Sequence, residues 1–581
     1  MKADRRGYWQ NRQFIFCALA IIPAAIYFFY LLSHITNTPY HDDFYDVLVP
    51  LILYQDSTDI TGSLKNLFWQ YHQHYMAYNR LVYWAHNLFT PIINFKTIII
   101  IGNFSLVALF LQLCINTRKQ DLFILPLASA IFFNLYTNES TFWAMTAVQN
   151  LAVVAFAFAA LQFLYSGKSI FSACIFSWMA AFTQSNGILI IPLGFIFLIA
   201  AQKREEKCIS NKDLLIWIAS SAACLTLFYA FENVSKMDRH FATLSPYHTD
   251  TPIQDITINF LASLASLPFK DGSSPLLGAI LGAIHFPIIG FFIWRSWKNN
   301  RALSLMLVFC ALSLLSASIM RTPHQGPTAF VSRYKILCTT ILTIEMLLLP
   351  QLISSRKAIM IPACIFALCI NAYSYFMNSE YVKSYTFFRQ QQLMEWFYSG
   401  DITAFALANA ILDDAYNRGM YNPGRDIDYD ALPTDITEAE NCPAITDKLN
   451  NKTLHLATKP YSRGALIWSN HPDTNDAPIE PTTAIWLCGE KAYKLFPGKT
   501  VTIEMWSGKK KDQLLILEKN RFLPGSYQVL VETRTGVAAL DTPIDTLATP
   551  ATPKDCATYK EAILDMYPLL YERYCKQGGG T

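Results

Sequence analysis

Residues 14–33 read FIFCALAIIPAAIYFFYLLS, without a single charge, and residues 41–46 shortly after read HDDFYD. An apolar run of roughly 20 residues is the length that crosses a bilayer as a helix. Arg5, Arg6 and Arg12 precede it, and no small-residue cleavage site follows. The run therefore reads as a retained signal anchor with a cytoplasmic N-terminus. The second stretch then opens an external loop with three carboxylates, Asp42, Asp43 and Asp46. In a helix, Asp43 and Asp46 lie three apart and share a face. Charge at a membrane surface is expensive unless it is solvated or used.

Working outward, the rest of the chain agrees with a membrane reading. Of 581 residues, 52% are hydrophobic and 15% charged, against about a quarter charged in soluble proteins. The net charge of +3 gives no hint of nucleic acid. Apolar runs fall at 14–33, 92–115, 121–136, 145–165, 169–184, 187–201, 213–231, 276–297, 302–320, 335–353 and 358–376. Arg118–Lys119, Lys168, Lys203–Arg204–Lys207, Lys298–Arg301 and Arg356–Lys357 mark every second connection, which satisfies the positive-inside rule. The expectation is an α-helical polytopic membrane protein of about 11 transmembrane helices with its C-terminus outside. Residues 1–376 form the membrane module, with a first periplasmic loop at 34–91, and 377–439 a helical connector in which Tyr381–Tyr398 and Ile402–Tyr416 read as helices. Residues 440–581 form a β-rich extracytoplasmic domain. Short alternating runs such as Ala484–Cys488 and Tyr527–Thr533, punctuated by Gly, Pro and Asn, carry that last assignment.

Four cysteines, Cys442, Cys488, Cys556 and Cys575, fall in this C-terminal region, and an even number in an oxidising compartment suggests two disulfides. Three pairings are possible. The other nine lie in or beside apolar runs, where they act as small hydrophobes.

The candidate chemistry sits in the connections. Asp42 and Asp43 can serve as general base or metal ligand; the plain alternative is a helix cap with a solvated pair. Asp43 is favoured for the base because Asp46 shares its face, and Asp42 for the cap. Residues 64–82 repeat apolar positions at steps of three and four, which reads as one interfacial amphipathic helix. His72, His74 and Arg80 lie on or near it, with Arg80 suited to a phosphate. Glu139, between Asn138 and Ser140, is a second carboxylate that could join Asp43 around a divalent cation such as Mg or Mn. Arg321 to Tyr334 reads RTPHQGPTAFVSRY, and its Pro and Gly rule out a continuous helix. There Arg333, Tyr334 and Lys335 suit a lipid phosphate, with Arg321 and His324 weaker candidates. Gln184–Gly187 is a tight turn. His285 and Glu345 are ionisable residues inside spans, which makes each a functional suspect.

Asp42-Asp43-Phe44, Trp143 to Gln149-Asn150, Ser185-Asn186-Gly187 to Pro192, and Ser332-Arg333-Tyr334 together resemble the GT-C type of membrane glycosyltransferase. The likeness covers residues 10–420. It points to bacterial members that add single sugars to O-antigen or pilin, pilin arabinofuranosyltransferases among them. The resemblance implies a polyprenyl-phosphate sugar donor, a periplasmic protein or glycan acceptor, and location in the bacterial inner membrane. It also puts Asp42 or Asp43 at the catalytic carboxylate position. A lipid-linked sugar flippase and a glycan polymerase or ligase are the rival readings.

Overall fold

The computed structural model describes residues 2–423 except 58, 72–73, 203–209, 233–251, 271–272, 299, 326–328, 353–355 and 400–407, and beyond 423 residue 443 and the strands named below. The chain forms two compact units, Met1–Ile35 with Asp42–Glu380, and Thr36–His41 with Tyr381–Thr581.

The first unit is helical. Its elements are α1 (Lys2–His34), α2 (Val49–Asp56), α3 (Ile60–Leu67), α4 (Ala77–Phe89), α5 (Phe95–Ile115), α6 (Leu125–Phe132), α7 (Asn138–Phe142), α8 (Ala144–Ser166) and α9 (Ile170–Ala181). There follow α10 (Ile190–Gln202), α11 (Asn211–Glu232), α12 (Ile253–Leu264), α13 (Pro275–Ser296), α14 (Arg301–Gln325), α15 (Lys335–Leu352) and α16 (Arg356–Ser399). Among the described residues, seven helices are long and apolar enough to cross a membrane: Phe14–His34, Phe95–Ile115, Ala144–Ser166, Asn211–Ala230, Pro275–Ser296, Arg301–Thr322 and Met360–Thr386. The other four expected spans contain the shorter helices α6, α9, α10 and α15.

The core runs along α8, which is apolar on every side and buried on every side, as a helix surrounded by others must be. Gly102 lets α5 approach it, since a Cβ there would come within 2.7 Å of the Ala147 Cβ. One buried amide ties three elements. Asn103 Nδ2 donates to the carbonyls of Ile99 and Thr141, each at 2.8 Å, and its Oδ1 accepts from Tyr27 Oη at 3.3 Å.

Two sequence readings need correction. Residues 64–82 are not one helix: α3 ends at Leu67, a hairpin pairs β1 (Gln70–Tyr71) with β2 (His74–Tyr75), and α4 begins at Ala77. The apolar spacing is met by two helices in succession. The helix expected to stop at 376 continues to Ser399. No Gly or Pro interrupts Met377–Glu380, and Asn378 Nδ2 bonds the Ser374 carbonyl at 2.9 Å. The stretch from Arg321 to Tyr334 is not one continuous helix, as read: α14 runs through Pro323 and ends at Gln325, and a separate 3₁₀ turn forms at Ser332–Tyr334, with Thr322 Oγ1 bonding the Ser318 carbonyl at 2.6 Å in the last turns of α14.

In the second unit, Arg389 lies 4.6 Å from the Tyr40 ring and 4.2 Å from that of Tyr385, near enough for cation–π attraction. A short helix, α17 (Ala408–Asn417), precedes the strands. One sheet orders β5 (His455–Tyr461), β6 (Gly464–Asn470), β10 (Lys510–Glu518) and β9 (Val501–Glu504). A second orders β3 (Asp435–Ala439), β8 (Ala492–Phe496), β7 (Ala484–Cys488), β11 (Ser526–Glu532), β12 (Val537–Ala539) and β4 (Asp447–Lys448), with β13 (Ile544–Asp545) on β11. Cys488 is disulfide-bonded. Cys442, Cys556 and Cys575 lie outside the described residues.

Candidate functional site

The chain reaches the acidic stretch through His41, whose left-handed backbone (φ 49°) turns it sharply. Asp43–Leu48 then form a π-helical turn, a conformation that recurs at functional sites. This turn separates the three carboxylates. Asp46 points inward and is fully buried. Its Oδ1 lies 3.5 Å from Arg80 Nη2 and its Oδ2 accepts from Tyr83 Oη at 3.4 Å. Asp43 is also buried, and its Oδ1 accepts the Met145 backbone N–H at 2.9 Å. Met145 lies in the first turn of α8, where backbone donors lack helical partners. Asp43 thus caps a helix that lies 102 positions away in the chain. Asp42 makes no capping bond of its own and remains partly exposed. The cap expected of Asp42 is made by Asp43 instead, on α8.

Arg80 is not presented as a phosphate contact. It is fully buried, and its Nη1 donates to the carbonyls of Asn66 at 3.0 Å, Leu67 at 3.1 Å and Trp69. These carbonyls close the C-terminus of α3, so the guanidinium caps that helix from α4. Burial raises the Asp46 carboxyl to about 6, with Arg80 opposing and Asp42 adding to the rise. The folded chain therefore keeps this proton where an unfolded chain, at about 3.8, has lost it. Linkage makes the contribution full below the ordinary carboxylate range and lost as pH rises through about 6. The apparent melting temperature of the wild type should fall between about pH 4 and about pH 7 more than that of Asp46→Asn, measured in detergent by intrinsic fluorescence.

Two distant turns meet near the start of α8. The Glu139 carbonyl accepts from Thr146 Oγ1, and Glu139 Oε2 accepts the Arg333 backbone N–H at 3.3 Å. Ser332 Oγ donates to the Tyr136 carbonyl at 2.6 Å, and Ser140 Oγ to the Arg333 carbonyl at 2.8 Å. The turn Ser332–Tyr334 is thereby stitched to the turn that carries Glu139. The Arg333 guanidinium lies 5.6 Å from the Tyr334 ring. Burial pulls its pKa down, but Tyr334, Glu139 and Asp42 more than offset this and hold it above its ordinary value. Lys335 is buried instead, its Nζ donating to the Phe269 carbonyl at 2.6 Å and lying 5.8 Å from the Tyr136 ring.

A second polar group lies beside the next turn of α8. Gln184 Nε2 donates to Asn150 Oδ1 at 3.1 Å. Next to it, Ser185 Oγ is 2.9 Å from His74 Nδ1, and Arg321 Nη2 is 3.5 Å from His74 Nε2. Met145 and Asn150 are five residues apart, about 7.5 Å along a helix axis. The two groups thus flank successive turns of α8, about 140° apart around its axis. His74 and Arg321 drew little weight from the sequence because they are 247 positions apart, and no local pattern links them. His72 and the side chain of His324 lie outside the described residues.

Among the described residues, no three His, Cys, Asp or Glu side chains gather as metal ligands. The two carboxylates expected around Mg or Mn, Asp43 and Glu139, each already accept a backbone N–H. No protein-family model, curated protein or solved structure matches this chain.

Proposed function

We propose that the protein is a membrane glycosyltransferase that moves a single sugar from a polyprenyl-phosphate donor to a periplasmic protein or glycan. It would lie in the bacterial inner membrane with the N-terminus inside, as the alternation of positive charge favours. The observation that carries this reading is the convergence of Asp42, Glu139 and Arg333, drawn from three distant connections onto the start of one central helix.

The chemistry asks for a base and for cations. An acceptor hydroxyl must lose its proton as it attacks the anomeric carbon, and a positioned carboxylate can take it. Asp42 is assigned this task because it is partly exposed and acts electrostatically on Arg333, whereas Asp43 and Asp46 are buried. As the new C–O bond forms, the bond from the anomeric carbon to the phosphate oxygen breaks, and its electron pair stays on the phosphate. Fixed cations stabilise that charge. The Arg333 guanidinium lies in the field of Glu139 and Asp42, and its Nε is buried without a hydrogen-bond partner among the described residues. Arg321 meets His74 and no carboxylate among the described residues. Arg321 and Arg333 are thus the cations offered to a phosphate. One displacement inverts the anomeric configuration.

Intact-mass spectrometry of surface glycans and pilins, with and without the gene, tests the activity. Loss of one sugar mass is expected, and unchanged masses throughout would end the reading. In the same assay Arg321→Lys should reduce transfer at least about tenfold, because lysine cannot form the bidentate fork of a guanidinium. Wild-type transfer by both Arg321→Lys and Arg321→Ala would remove Arg321 from the site.

A further inference from the structure

Two ionisable residues lie inside the membrane-spanning bundle and take no part in that chemistry. His285 is ten residues into α13 (285 − 275) and Glu345 ten residues into α15 (345 − 335), each about 15 Å along its helix. His285 Nε2 lies 3.1 and 3.0 Å from the two oxygens of Glu345. On the opposite side of the ring, Nδ1 lies 2.8 Å from the Leu264 carbonyl.

Leu264 is the last residue of α12, a helix that lies directly on α13. A Cβ added at Gly282 would fall on the Leu261 carbonyl, and one at Gly278 would come within 3.2 Å of the Ala262 Cβ. A return segment, described at 265–270 and 273–274, joins this end of α12 to the start of α13. A helix that ends at such depth has orphan carbonyls with no water to meet them. Leu264 receives His285 Nδ1 and, at 3.2 Å, Cys338 Sγ.

These contacts fix the proton count. A carbonyl only accepts, so Nδ1 must carry hydrogen. Nε2 then faces a carboxylate, and two acceptors cannot bond each other. One proton must lie between them, on the imidazole or on the carboxyl. Either way the pair is neutral as a whole. Removing that proton leaves a bare carboxylate within the bundle, which is costly. The ring could turn its remaining N–H toward Glu345 only by abandoning Leu264.

We propose that His285 and Glu345 form an intramembrane binding site for one shared proton, and that this proton locks the inner end of α12 against α13 and α15. Among the described residues, Cys338 faces Glu345, and Tyr136 packs in the same cluster as Cys338, with Tyr373 of α16 near Tyr136. The other charged groups on the packed helices are Asp255 of α12, Arg295 of α13, Arg301 and Arg321 of α14 and Lys335 of α15, all within the terminal turns of their helices. The lock also reaches the site described above. Asn259 of α12 donates to Thr322, next to Arg321, at 2.8 Å, and the return segment gives Lys335 the Phe269 carbonyl.

Cys338 reports the lock, because it is buried and bonded to Leu264. The full-length protein in native membranes is labelled with N-ethylmaleimide from about pH 6 to about pH 10, and Cys338 is quantified by peptide mass spectrometry. Glu345→Gln supplies the baseline, since its amide can donate to Nε2 and needs no shared proton. The ratio of wild-type to Glu345→Gln labelling should stay near one at low pH. It should rise about tenfold at high pH, the scale of losing one charge-assisted hydrogen bond. His285→Ala should label about tenfold faster than wild type at low pH, while the buried Cys310 stays protected. A flat ratio across the range overturns the proposal, as does wild-type protection in His285→Ala. Should Cys310 open as well, that variant has unfolded and the ratio alone decides.

Discussion

Asp42→Asn is expected to slow sugar transfer on the order of 10²–10⁴-fold, the cost of losing a general base. The substitution keeps size and hydrogen bonding and removes only the basic oxygen. Asp42 is partly exposed, and its charge acts on Arg333 together with that of Glu139. Asp43→Asn should behave differently. Its amide oxygen can still accept the Met145 N–H, and the loss is mainly that of a negative charge at the positive end of α8. That costs about 0.5–1 kcal/mol of stability and little rate. The measurement is transfer per unit of correctly inserted protein for each variant. A dead Asp43→Asn beside an active Asp42→Asn would restore Asp43 as the base. Wild-type rates in both would place the base outside this loop altogether.

The long apolar helices were legible because hydrophobicity is summed over many residues and survives local error. The first loop was not, because its decisive contacts are made to backbone. Arg80 looks like a surface cation in sequence, yet its partners are the carbonyls of Asn66, Leu67 and Trp69, which carry no side-chain signature. Asp42 and Asp43 are equivalent in composition and adjacent in sequence. The choice between them rests on a backbone N–H of a helix that the chain reaches a hundred residues later. Glu139 and Arg333 were each singled out by type and position, but their meeting across 194 positions belongs to the fold alone. The His285–Glu345 pair has the same character: each residue stood out as an intramembrane charge, and only packing made them partners.

Arg80→Met should destabilise the first loop by about 3–5 kcal/mol at neutral pH, the cost of breaking one side of a buried ion pair. Two losses combine. Asp46 keeps its burial and loses its cation, and three carbonyls at the end of α3 lose their donor. Acidity separates the two. Asp46 in the wild type titrates at about 6, and Arg80 is holding that value down against burial. Without Arg80 the carboxyl rises further, so the variant keeps the proton to higher pH and is most penalised where that proton is finally given up. At about pH 4.5 Asp46 is neutral in both proteins, and only the carbonyl bonds are missing, each worth roughly 1–3 kcal/mol when a buried acceptor is left unmet. The stability gap between wild type and Arg80→Met should therefore widen as pH rises through about 6. Limited proteolysis of the loop in detergent-solubilised protein, at about pH 4.5 and about pH 7.5 with an acid-active and a neutral protease, reads the gap directly. A gap of equal size at both values would mean that Arg80 acts on this loop only through the carbonyls of α3, and that Asp46 has another counter-charge. Wild-type resistance at both would mean that Arg80 does not hold the loop, whose placement of Asp42 and Asp43 would then depend on the π-helical turn alone.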